Sequence, residues 1–239
     1  MGANRDEMLG RPWTPPGRHW PDRPDGVAGR DDLAGGTWMG VNDTGLAVCI
    51  LNRHGSLGPA PGKRSRGELV LEALDHADAG TAAEALADIS PEAYRPFNLV
   101  IADNTEAWWL SLTAEADSSV GSIRAVPVPV GLSVFTAYDR NDTSDRRIAT
   151  YLPRFEAAAP PNPDSDDWAS WQGLLSSTKT QGDVFNAMSF HMENGFGTSS
   201  SSLLAIPSIE ASHGPDAKRP IWLFAPGPPE SSRFTPVDI

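Results

Sequence analysis

The sequence predicts an α+β fold of two stacked, mainly antiparallel sheets with helices on the outside. Three observations carry that expectation. Strand-forming runs come in pairs across short turns, helical segments come in pairs between those hairpins, and no helix follows each strand as a parallel sheet would demand. With 239 residues and 39% hydrophobic content the chain can bury one large core, so one domain over 1–239 is expected.

The elements follow in order. The first dozen residues crowd Asn4, Arg5, Asp6, Glu7 and Arg11 ahead of Pro12. A cation set between an amide and two carboxylates reads as a site or as a structural ion-pair cap. Residues 11–36 carry five prolines and five glycines and read as an ordered but irregular loop. Residues 37–42 and 46–51 are rich in strand formers and flank Asp43-Thr44-Gly45, which reads as a hairpin. After a second loop, Leu69, Val70, Ala73 and Leu74 share one face of a helix starting near Gly67. A second helix spans residues 81–89, with Thr81 as N-cap and Glu84 completing a capping box. Two more hairpins are expected, 97–103 with 107–112 and 123–128 with 132–137. Residues 144–156 read as helical at least to Pro153, and a stiff Pro160–Asp164 connector leads to a helix from about Asp166 to Leu175. Strands at 199–206 and 221–224 precede a polar tail.

Composition excludes several functions. The formal charge of −12 repels phosphate backbones and anionic lipid, so nucleic acid is not an expected partner. No apolar run approaches the length of a membrane span. Cys49 is the only cysteine, which removes any intrachain disulfide or CxxC metal site. Without a visible secretory leader the expected location is the cytoplasm.

The chemical motifs are weak one by one. His54-Gly55-Ser56-Leu57-Gly58 lacks the first glycine of a nucleophile elbow, and Ser176-Ser177-Thr178-Lys179 matches a loose S-x-x-K pattern that reads as a polar helix end. Ser199–Ser202 is a serine run whose hydroxyls are expected to face water more than a pocket. The five histidines never pair at helical spacing, so no metal site is expected. His19 and His54 lie in loops, as acid/base groups, haem ligands or ordinary surface histidines. Cys49 reads as a buried hydrophobe. Trp38, Trp108, Trp109 and Trp222 read as core, while Trp13 and Trp20 sit beside Arg11, Arg18 and His19, where they can wall a pocket for a flat or acyl ligand.

A family resemblance rests on Ala3-Asn4-Arg5-Asp6-Glu7, Arg11-Pro12, Trp20, Ala28-Gly29-Arg30-Asp31 and Gly35-Gly36-Thr37-Trp38-Met39-Gly40. Leu51-Asn52-Arg53, Ser65-Arg66-Gly67-Glu68-Leu69 and Phe97-Asn98-Leu99 extend it over the first hundred residues. In these the chain resembles the NRDE family, homologues of the transport and Golgi organisation protein two. The resemblance implies a four-layer αββα sandwich like that of the N-terminal-nucleophile hydrolases. It also implies a start at Met-Cys followed by a strand, both absent ahead of Ala3 here, so roughly ten further residues upstream are expected. In the hydrolase class an N-terminal thiol attacks an amide while its own amine takes the proton. By similarity, Asp6 would orient that amine and Arg5 would modulate the thiolate.

The family resemblance further implies haem or acyl-coenzyme A and lipid trafficking, with the ligand as cargo and no required cofactor. The alternative is a cysteine amide hydrolase whose nucleophile lies upstream. The expected ligand-binding set is Asn4, Arg5, Asp6, Glu7, Arg11, Trp13, His19, Trp20, Thr37, Trp38, Asn52 and His54, with Arg5 and Asp6 as catalytic candidates. The expected partner is a small molecule, with the oligomeric state left open.

Overall fold

The structure is a computed structural model that describes residues 1–114, 120–180 and 182–239. Eleven strands form two sheets among the described residues. Strands β2 (Trp13–Gly17), β3 (Gly26–Asp31), β4 (Met39–Asn42), β5 (Ala47–Asn52), β6 (Phe97–Ala102), β7 (Ala107–Ala114) and β8 (Val120–Pro127) make the larger sheet in sequence order. The smaller sheet has the order β1-β9-β10-β11, from β1 (Gly2–Met8), β9 (Phe196–Ala205), β10 (Ile221–Ala225) and β11 (Thr235–Pro236). Every recorded pairing is antiparallel.

Period-two alternation sorts each strand between two layers. On the outer face of the larger sheet, Val48, Leu99, Ile101, Leu110 and Leu112 pack against Leu69, Val70, Ala73 and Leu86 from helices α1 (Gly67–Leu74) and α2 (Ala79–Ala87). Between the sheets, Val27, Met39, Val41 and Ala47 meet Leu204 and Trp222. On the far side, Leu203 and Leu223 meet Tyr151 and Phe155 of α3 (Arg146–Ala157) and Leu175 of α4 (Ala169–Leu175). The order helix, sheet, sheet, helix is the layered sandwich that the sequence predicts.

Three local expectations are corrected. Residues 11–36 are not irregular, since they contain β2 and β3. Pro15 and Pro16 fit in β2 because it is the sheet's edge strand, and its register slips between Thr14 and Gly17, where the missing N–H groups are least needed. Helix α2 begins two residues before Thr81: Asp78 is the extended N-cap and accepts from the Thr81 N–H at 2.8 Å. Helix α3 agrees with the expected 144–156 segment and runs through Pro153, because Ile148, Tyr151 and Phe155 form a buried stripe that outweighs one lost hydrogen bond. Residues 132–137 form no strand, and β8 pairs back onto β7 instead. The carbonyls of Thr136 and Tyr138 are taken by the fully buried Asn98 amide, which straps this segment across the inner face of the larger sheet.

Candidate functional site between the sheets

Strand β1 carries the polar front of the chain, and its alternation divides that cluster. Asn4 donates to the carbonyls of Leu175 and Met188 at 2.9 and 2.7 Å, so it faces α4. Asp6 accepts from Thr198 Oγ1 and from Arg147 Nη1, each at 2.8 Å, so it faces α3. Arg5 and Glu7 point the other way, into the space between the sheets.

There the Arg5 guanidinium lies over the Trp38 ring, 4.4 Å from its centroid, and donates to Ser199 Oγ at 3.0 Å. Glu7 is 3.9 Å from Arg5 and 3.8 Å from Arg11, and Arg11 pairs with Asp31 of β3 at 2.8 Å. Trp13 meets both Trp38 and Phe224 edge-on at 5.8 Å, so the aromatic wall joins the larger sheet to β10 of the smaller one. Gly29 is required here: a Cβ on it would come within 2.4 Å of the Trp38 ring, so only glycine lets the indole lie against β3. The register break opposite Arg5 and Asp6 leaves Ser199 as the extra residue of β9 and turns its hydroxyl toward Arg5.

The electrostatics follow from burial. Desolvation lowers the Arg5 guanidinium from its ordinary value, opposed by Glu7 and Asp31. Arg66 lies close enough to feel Glu7, and its guanidinium is lowered to about 10 by burial and by Arg95. Three arginines therefore converge on two carboxylates in a chain whose formal charge is −12. Among the described residues the Arg5 guanidinium has one hydrogen-bond acceptor, Ser199 Oγ, although it carries five N–H donors. Its nearest carboxylate is Glu7, an ion pair at 3.9 Å without a hydrogen bond.

The other expected site residues are distributed around this centre. Thr37 is buried, donating to the Met39 carbonyl at 3.0 Å and fixing the backbone that presents Trp38. Asn52 ends β5, paired with Phe97. His54 is exposed and stacks on Tyr138 at 5.6 Å. His19 contacts Trp20 edge-on at 5.7 Å, and its Nε2 lies 2.7 Å from the Pro15 carbonyl oxygen. Trp20 donates its indole N–H to the Gly35 carbonyl and lines a different cavity. The serine run does not face water: Ser199 to Ser202 are each at most 5% exposed, and Ser201 Oγ donates to Asn4 Oδ1. Ser199, Phe224 and Arg147 were not legible as partners of the front cluster, because each is over a hundred residues away in sequence.

Cys49 faces the inter-sheet core from β5. The residue as a whole is only half-buried, but its thiol is enclosed, and burial pushes it up to about 12. At pH 8 a shift of about three units leaves roughly a thousandfold less thiolate than in the unfolded chain. We expect Ellman's reagent to label Cys49 at most about one hundredth as fast in the native protein as in urea. The unfolded thiol ionises near 9 and the folded one near 12, so this group lowers stability as pH rises from 9 through 12. Equal labelling rates would show the thiol to be open.

Among the described residues no group of three or more His, Cys, Asp or Glu side chains is placed to hold a metal ion. None of their helices is long and apolar enough to cross a membrane.

Two packed antiparallel sheets between helical layers, with a polar cluster where β1 enters the gap, define an N-terminal-nucleophile-hydrolase-like fold. Among solved structures, the Caenorhabditis elegans N-acylethanolamine-hydrolyzing acid amidase (NAAA) ortholog superposes with a TM-score of 0.56. It matches 84% of this chain and 85% of its own at 15% identity, a likeness of fold. The sequence profile described as Transport and Golgi organisation 2 matches residues 1–152, and the chain belongs to that family, the NRDE family. Comparison with curated proteins gave no match.

Proposed function

We propose that this chain binds a small anionic molecule with a large apolar part, of the haem or acyl-coenzyme A class, as a carrier. The observation behind this reading is the Arg5 guanidinium, held on Trp38 and partly desolvated, with Ser199 as its one hydrogen-bond acceptor among the described residues and the Glu7 carboxylate 3.9 Å away. A ligand carboxylate or phosphate would supply the missing acceptors, and Trp13, Trp38 and Phe224 would take the apolar part. A carrier must release its cargo, and a site of this kind binds without a covalent step.

The test is titration of the full chain with haem, followed by the Soret band, and with palmitoyl-coenzyme A, followed by calorimetry. Micromolar binding of one or both is expected, weakened about tenfold in Arg5→Gln through the loss of one charge-assisted contact. His19→Ala and His54→Ala report any axial ligand through the Soret position. No binding of either ligand at micromolar concentration, or binding indifferent to Arg5→Gln, would reject the carrier.

The likeness to an acid amidase supports a second reading, amide hydrolysis on an acylated substrate. That chemistry needs an accessible thiolate beside an amine, and Cys49, with its thiol at about 12, is not such a group. Cys49 is therefore not expected to serve as the nucleophile of such a reaction.

A further inference from the structure

A second concavity lies away from the Arg5 cleft, where the β3 and β4 ends meet the C-terminal end of α1. It encloses about 240 Å³. Leu71 and Leu74 of α1, 6% and 7% exposed, lie among its lining residues together with Ala28, and Trp20 forms a wall. The Trp20 indole N–H is already given to Gly35, so the ring offers the cavity only carbon surface.

The polar groups around this apolar lining are mostly acidic. Asp75 is held by Arg23 at 2.9 Å, and Asp43 by Arg18 at 2.6 Å. Asp22 has only the far side of Arg23, at 4.0 Å. The Asp25 carboxylate has no ion-pair or hydrogen-bond partner among the described residues, and neither does the His76 ring, both of which line the cavity. Four aspartates against Arg18 and Arg23 leave the local charge negative after the pairs are counted. The lining thus combines an aromatic face, an aliphatic surface, an unengaged imidazole and an unneutralised carboxylate. That combination selects a cation with an apolar body over a metal ion, which needs several converging oxygen or nitrogen ligands.

We propose that this cavity is a binding site for a small protonated amine carrying an aromatic or aliphatic group. The ammonium pairs with Asp25 at the rim and the apolar part lies against Leu71, Leu74 and the Trp20 ring. The site is distinct from the Arg5 cleft in both place and sign of charge, so it does not depend on the carrier reading.

Phenethylamine is the probe, with 2-phenylethanol as its neutral isostere and phenylacetate as its anionic counterpart. Binding is read from the Trp20 indole N–H resonance in a nitrogen–proton correlation spectrum of the full chain. The amine is expected to shift that resonance saturably, the alcohol to bind about tenfold more weakly, and phenylacetate not to bind. Asp25→Asn, a change at an exposed position whose folding is checked by a thermal melt, is expected to weaken the amine about tenfold, and Arg5→Gln to leave it unchanged. Equal binding of amine and alcohol, an unmoved Trp20 resonance, or full amine affinity in Asp25→Asn would each overturn the proposal.

Discussion

Asp6→Ala is expected to destabilise the fold by about 2–4 kcal/mol, a loss of roughly 5–15 °C in melting temperature for a chain of this size. The carboxylate bridges Thr198 and Arg147, whose side chain is only 17% exposed. Removing it leaves a largely buried guanidinium with its Phe185 carbonyl contact and its place over the Phe190 ring, but without a counter-charge. An unpaired buried charge costs far more than the pair itself contributes. Asp6→Asn keeps an acceptor for Thr198 and loses only the charge, so about half the effect is expected. Arg5→Gln, one residue away, is expected to cost about 1 kcal/mol or less, because Arg5 loses a neutral hydrogen bond, one ring contact and only a long ion pair with Glu7 at 3.9 Å. Urea melts of the three variants check the ordering. A native-like melt for Asp6→Ala, with lost ligand binding, would place Asp6 in the cleft rather than in the helix layer.

The second large effect belongs to Trp222. It is 1% exposed and fills the space between the sheets, so Trp222→Ala is expected to cost about 3–5 kcal/mol, a large share of the ~5–15 kcal/mol net stability of a domain. Its indole N–H is buried without an acceptor among the described residues. That orphan donor carries a penalty of about 1–3 kcal/mol, which phenylalanine removes while keeping most of the apolar area. Trp222→Phe is therefore expected to lie within about 1 kcal/mol of the native chain. Denaturant midpoints at constant slope decide it, and a phenylalanine variant as unstable as the alanine one would show that shape alone sets the site.

Much of this was readable from local pattern. The Asp43-Thr44-Gly45 and Asn104-Thr105-Glu106 turns place the β4–β5 and β6–β7 hairpins, and the Leu69, Val70, Ala73, Leu74 face places α1. The strands within residues 11–36 were not readable, because proline and glycine density argues for loop unless one knows that β2 will be an edge strand. The segment 132–137 failed for the converse reason. Its strand-like composition is overridden by the Asn98 side chain, which competes for its carbonyls.

What the sequence determined by itself is the layering and the presence of a charged front. Alternation with period two and helical faces with period near 3.6 are local properties, and they dictate two sheets with apolar faces to cover. The tertiary structure alone decided which of the front residues enter the gap. Asn4 and Asp6 lie against helices, while Arg5 and Glu7 lie between the sheets, because β1 pairs with β9 across some 190 residues, and the bulge at Ser199 sets their partners. Pairing register over that distance is settled by the packing of whole layers, and no local pattern encodes it.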